Sequence, residues 1–272
     1  MSHAWLPERI VCLTEETTEM LYLLGEQDRI VGISGFTVRP PQARKEKPKV
    51  SAFTSAKIDE ILDLKPDLVL GFSDIQADIA AELIRHGVAV HVFNQRSIEE
   101  IYRACVTIGA LVGKQDEAMK LMERLAHKLA IIEENTRRRT LRPRVHFEEW
   151  DEPIITGIRW VSEAIRIAGG DDCFPELASM SLAKDRIIAD PLEVVRRQPD
   201  IIIGSWCGKK FRPEQVAARP GWQDLPAVRN HHIFEIKSSD ILQPGPALLL
   251  DGIHHLETLI DRWYHEQEEA VT

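Results

Sequence analysis

One segment of the chain occurs twice, and that constrains the fold more than anything else in the sequence. Glu60-Ile61-Leu62-Asp63-Leu64-Lys65-Pro66-Asp67-Leu68-Val69-Leu70-Gly71-Phe72 is matched by Glu193-Val194-Val195-Arg196-Arg197-Gln198-Pro199-Asp200-Ile201-Ile202-Ile203-Gly204-Ser205, with Glu, Pro, Asp and Gly in register. In each copy apolar residues at helical spacing run into a Pro-Asp turn, and a short β-branched or Leu-rich run then ends at Gly. That pattern reads as helix, turn and buried strand. Such a connection is common in α/β proteins, but the length of the in-register match favours an internal repeat and hence two similar lobes.

The first copy sits in an alternating series. Strands are expected at Ile10 to Leu13, Ile30 to Ile33, Leu68 to Leu70 and Val88 to Phe93, with helices at Thr17 to Leu24, Ile58 to Leu64 and Ile75 to His86. Alternation of this kind makes a mostly parallel sheet covered on both faces. From Ser97 to Arg139 there is no strand character, and Met122, Leu125, Leu129 and Ile132 recur at spacings of three and four, which predicts a long amphipathic helical stretch. It ends in Arg137-Arg138-Arg139, read as cations complementing a helix C-terminus. A second series opens at Arg144 to Trp150. It continues through a helix at Val161 to Ala168 closed by Gly169-Gly170, the second copy, a strand at Ile233 to Ile236 and a helix from Ala247 to Tyr264. The expected fold class is α/β: two Rossmann-like lobes with mostly parallel sheets joined by one long helix. The expected divisions are an N-terminal lobe at 1–96, a linking helical segment at 97–139 and a C-terminal lobe at 140–272.

At 272 residues and 44% apolar content the chain is long enough for two cores. A formal charge of −9 opposes a general nucleic-acid or anionic-membrane binder, since either partner needs a basic surface. No apolar run approaches the roughly 20 residues that span a bilayer, so the chain is not expected to be membrane-embedded. The N-terminus lacks the basic and apolar regions of a secretory signal. With Met1 as the native start the expected location is the cytoplasm, and with a signal removed it is the periplasm. Cys12, Cys105, Cys173 and Cys207 are scattered and form no CxxC pair, which excludes a zinc knuckle or a thioredoxin-type motif.

In open parallel sheets ligands bind beyond the carboxyl ends of the strands. Phe36, Phe72 and Asn94-Gln95 follow expected strands, and Phe53 lies in the Ser51 to Ser55 loop. In the second series Trp150, Trp206-Cys207 and Ser238-Ser239-Asp240 hold the corresponding places. Aromatics are only 6% of the chain, so their gathering at these positions points to a shared cleft for a large, flat, partly apolar ligand. Glu148 to Glu152 reads equally as a solvated loop or as a hydrogen-bonding rim. For Cys207 a buried structural thiol is favoured over a ligand to a soft metal centre. Adjacent histidines such as His231-His232 and His254-His255 form no chelate by themselves. GxSxG, Walker A, HExxH and GxGxxG are absent, so no catalytic and no metal-ligating residue is assigned.

Arg9-Ile10-Val11-Cys12-Leu13, Thr18-Glu19-Met20-Leu21, Ile30 to Ser34, Pro40-Pro41, Lys49-Val50-Ser51, Ile58 to Gly71 and Ala168-Gly169-Gly170 together resemble the class III substrate-binding proteins of ABC transporters, with the cobalamin-binding branch most similar. The resemblance spans roughly Arg9 to Trp263. It implies non-catalytic binding of cobalamin, or a similar metal-bearing chelate, in a cleft between the lobes, with no cofactor required. It places aromatics at Phe36, Phe53 and Phe72 along that cleft. Trp150 and Trp206 are expected as further walls, and Asp240 and Gln243 as polar contacts. The family docks on its permease through one carboxylate per lobe. Asp59 holds that place in the first lobe, whereas Leu192 holds it in the second with Asp190 and Glu193 nearby, so Asp59 and Glu193 are the docking candidates and Leu192 weakens a permease role. A cytoplasmic sensor or carrier, and a cofactor-processing enzyme using Cys207 or Glu148 to Glu152, are the alternatives on the same fold.

Overall fold

A computed structural model describes residues 5–271. The opening residues 1–4, on which the expectation about a leader turns, lie outside the described residues. The chain folds as two compact units. The first runs through Gln95 and takes in Glu99–Arg124 and Gln243–Ala247; the second comprises Arg96–Ile98, Leu125–Leu242 and the chain from Leu248 onward.

The first unit is built on a five-stranded sheet of β1 (Ile10–Cys12), β2 (Ile30–Ser34), β3 (Lys49–Ser51), β4 (Leu68–Phe72) and β5 (Val90–Phe93), in the order β3-β2-β1-β4-β5. Every pairing is parallel. β1 and β4 are buried along their whole length, as strands covered on both faces must be. Val11, Leu13, Val50, Ile61, Val69 and Leu83 form one of its cores. β3 was not expected: three residues between Pro48 and Ala52 carry too little pattern to read as a strand.

The second unit holds β6 (Arg144–Asp151), β7 (Ile154–Thr156), β8 (Asp171–Asp172), β9 (Ile201–Gly204) and β10 (Ile233–Glu235). The order is β10-β9-β6-β7 with β8 also paired to β6, and only β7 is antiparallel. Its core gathers Phe174, Val194, Ile202, Trp206, Phe211 and Trp222. Both units are thus α/β with mostly parallel sheets.

The repeat is structural. Its two helices, Ile58–Asp63 and Leu192–Arg197, run into β4 and β9. Each copy turns through a left-handed residue just before its proline, Lys65 at φ 49° and Gln198 at φ 48°, a conformation uncommon outside glycine. The Asp67 carboxylate then accepts the backbone N–H groups of Glu8 and Arg9 at 2.7 and 2.9 Å. Asp200 accepts the backbone N–H of Arg144 at 2.8 Å and its guanidinium at 3.1 Å. The aspartate therefore pins the start of the neighbouring strand in both units. It sets the registers Ile10↔Leu68 and Val145↔Ile201.

The repeated glycine also has a structural reason. A Cβ on Gly71 would lie 2.9 Å from Gln76 Oε1, and one on Gly204 would lie 1.9 Å from the Phe211 ring. Each glycine leaves room for a side chain returning over the strand end. Gly204→Ala is expected to displace Phe211 and lower stability by about 1–3 kcal/mol; an unchanged urea midpoint would show that the ring moves aside freely.

The helical stretch after β5 is two helices, Ile98–Leu111 and Gln115–Arg137, rather than one. Gly113 at φ 73° ends the first, and the Lys114 N–H turns back to the Gly109 carbonyl at 2.7 Å, a terminus that favours glycine. Met122, Leu125, Leu129 and Ile132 are buried as their spacing required. The second helix passes from one unit to the other between Arg124 and Leu125, and Gln243–Ala247 returns to the first, so one helix is not the sole connection. Gly245 allows that return, because a Cβ there would sit 2.4 Å from Glu16 Cβ. Arg137, Arg138 and Arg139 make ion pairs with Glu133, Glu134 and Asp261.

Candidate ligand-binding site

In the first unit the loops beyond the strand ends are fastened from beneath. Gln76 is fully buried. Its amide oxygen accepts the Phe72 N–H at 2.9 Å and its amide nitrogen donates to the Phe53 carbonyl at 3.0 Å. One side chain therefore ties together two of the expected aromatic positions. Phe72 is buried at the end of β4, whereas Phe36 and Phe53 expose 61% and 40% of their surface. Large exposed aromatics on loops held this firmly are what a preorganised apolar contact surface requires.

The Phe36 loop has its own fastenings. The Glu15 carboxylate accepts the N–H groups of Val38 and Arg39, both at 2.8 Å. Glu19 pairs with the Arg39 guanidinium, and Arg44 donates to the carbonyls of Gly35 and Thr37. Burial, opposed by those two N–H groups, pushes the Glu15 carboxyl up to about 7. Burial likewise raises Glu16 to about 7, against the Thr14 hydroxyl that it accepts.

In the second unit Glu148 to Asp151 is strand, not loop, which corrects the solvated-loop reading of the acidic stretch. β6 runs eight residues because β7 pairs with its far end, Trp150 opposite Ile155. Glu148 is completely buried. Arg219 holds it with two bonds of 2.6 and 2.8 Å, and the Trp206 indole N–H donates to it at 3.0 Å. Burial opposes its ionised form, but Arg219 and His146 outweigh burial and hold the carboxyl below its usual range. Glu149 pairs with the buried Arg186. Trp206 is only 4% exposed and meets Phe211 edge to face with centroids 4.9 Å apart. Trp150 is half-buried against the same core, its indole N–H bonded to the Glu152 carbonyl at 3.0 Å. Lys209 reaches back to Asp151, and its ammonium lies over both indoles.

The family model for periplasmic binding proteins matches residues 10–239. The chain belongs to that family. As a periplasmic binding protein it binds a ligand and performs no catalysis, and substrate-binding proteins of ABC transporters take small ligands and work with permeases. It is 25% identical over 261 residues to a vitamin B12-binding protein of Vibrio parahaemolyticus, covering 93% of this chain and 90% of that one. It is 25% identical over 259 residues to an uncharacterized ABC transporter substrate-binding lipoprotein of Bacillus subtilis, covering 92% and 79%. Among solved structures, the periplasmic heme-binding protein of Roseiflexus sp. RS-1 in apo form shares the fold at a TM-score of 0.78 and 22% identity, over 95% of this chain and 98% of that one.

The remaining expected site residues of this periplasmic binding protein are divided between the two units. Asp240 lies on the short helix Ser238–Ile241, with its carboxylate 3.6 Å from His255. Gln243 opens the segment assigned to the first unit. Asp59 is exposed in the first turn of its helix. Leu192 exposes 51% of its surface, and Glu193 beside it is paired with Arg196 and Arg197. Cys207 is exposed, which overturns the buried-thiol reading: it lies in the loop that follows β9 after Gly204, while Cys12, Cys105 and Cys173 are buried. Among the described residues no helix is long and apolar enough to cross a membrane, and no group of His, Cys, Asp and Glu is placed to hold a metal. Gln76, Glu15, Arg219 and Lys209 are the structurally important residues that pattern reading missed. Only Lys209, a cation in a strand-end loop beside Trp206, carried a local signal.

Proposed function

We propose that the chain is the ligand-binding component of an ABC importer and takes a corrinoid, or another large metal chelate, without chemical change. The likeness to the vitamin B12-binding protein along nearly the whole of both chains carries this reading. The aromatic side chains at the strand ends support it, since a flat macrocycle needs broad apolar contact with few polar fixings. Phe36, Phe53 and Trp150 supply apolar surface, with the buried Phe72 supporting the first unit's strand-end loops and the buried Trp206 acting as the support beneath Trp150 and Lys209. Asp240 and Gln243 supply polar contacts. No further cofactor is needed, and the place of action is outside the cytoplasmic membrane. Asp59 is the permease contact of the first unit and Glu193 that of the second, where the exposed Leu192 replaces charge by apolar surface and makes docking asymmetric.

Titration with cobalamin, followed by tryptophan fluorescence and corrin absorbance, tests the ligand. Saturation is expected below about tens of micromolar, and Trp150→Ala is expected to weaken it by about tenfold. No response at that concentration removes cobalamin, and a parallel titration with heme then decides whether another chelate takes its place.

A further inference from the structure

The Lys209 ammonium lies over the faces of two indoles. It is 5.0 Å from the Trp206 ring centroid and 5.7 Å from that of Trp150, both within the range at which an indole face attracts a positive charge. It is ion-paired with Asp151, whose side chain is 12% exposed. The second oxygen of that carboxylate, Oδ1, is buried and makes no hydrogen bond.

The walls and the occupant differ in how firmly they are held. Trp206 is fixed by Glu148 and Phe211, and Trp150 by the Glu152 carbonyl and its place in β6. Glu148 and Glu149 already have buried or nearly buried arginine partners, so Asp151 is the acid in this strand whose countercharge sits on an exposed loop. That loop turns at Gly208, at φ 72°, with nothing within 4 Å of where a Cβ would stand. A lysine ammonium is strongly hydrated on a flexible stem, so it gives up such a place for water at little cost. A poorly hydrated cation gains more from the same two ring faces and carboxylate.

We propose that Trp150, Trp206 and Asp151 form a cage for a quaternary ammonium or similar poorly hydrated cationic group of the ligand, and that Lys209 is the tethered occupant it displaces. The proposal rests on the reading that this strand-end surface takes a ligand, and not on that ligand being a corrinoid.

Calorimetric titration with choline, and with its neutral isostere 3,3-dimethylbutan-1-ol, tests the cage in the full chain. Choline is expected to bind, and Lys209→Ala to bind it about tenfold tighter because the tethered competitor is gone. Lys209→Gln, which keeps a side chain of similar reach without the charge, is expected to follow in the same direction. Adding Asp151→Asn to Lys209→Ala should lose that gain. The neutral alcohol should give no saturable heat. The cage is overturned if neither Lys209 variant binds choline up to about 10 mM, or if alcohol and choline bind within twofold of each other. Cobalamin titration of the same samples separates the two readings: cobalamin binding without choline binding removes the cage alone, and choline binding without cobalamin binding removes the corrinoid alone.

Discussion

Glu148→Ala is expected to destabilise the second unit by about 3–5 kcal/mol, the usual cost of removing one member of a buried ion pair. The carboxylate is completely buried and accepts from Arg219 twice and from Trp206 once. Its removal leaves a largely buried guanidinium and a buried indole N–H without their acceptor, and opens a space beneath the aromatic cluster. Glu148→Gln keeps an acceptor for Trp206 while losing the charge, and is expected to cost less, about 1–3 kcal/mol. Urea unfolding of the three proteins checks the ranking. Equal midpoints would mean that Arg219, at 18% exposure, swings out to water. The carboxyl is held below its usual range in the folded state, so its contribution is complete above the unfolded-state value and is lost as pH falls through the folded one.

The same residue shows where pattern reading stops. Glu148-Glu149-Trp150-Asp151-Glu152 is acidic enough to pass for a solvated segment, and nothing local announces that Arg219 arrives to neutralise it from far along the chain. By contrast the repeat was legible, because its proline, aspartate and glycine each answer a local backbone demand that recurs in both units. β1, β2, β4 and β9 were visible as apolar runs, which the fold buries. β3 and β8, Lys49–Ser51 and Asp171–Asp172, have no such run, and pairing with a longer neighbour is what creates them. The aromatics at strand ends were located by position, but their exposure was not. Phe36 projects from its loop, whereas Trp206 is drawn into the core by Glu148 and Phe211.

A second large effect is expected from acidity in the first unit. Glu15 and Glu16 have carboxyls pushed up to about 7 from 4.5, foremost by burial, with the like charge of Glu19 adding to both. Between those values the folded chain holds protons that the unfolded chain has released. Their contribution to stability is therefore complete below about 4.5 and is lost as pH rises through about 7. The gap corresponds to about 3 kcal/mol for each group. Glu16→Gln, uncharged and still able to accept the Thr14 hydroxyl, should match the original chain near pH 5 and exceed it near pH 8 by up to about 3 kcal/mol. Glu15→Gln should gain less, because its ionised carboxylate makes stronger bonds to the N–H groups of Val38 and Arg39 than a neutral amide oxygen can. Urea unfolding at the two pH values measures the difference. A variant no more stable than the original at pH 8 would show that Glu16 ionises in the folded state without penalty. Since Val38 and Arg39 belong to the loop that presents Phe36, the same protonation couples the first unit's stability to the surface proposed to meet the ligand.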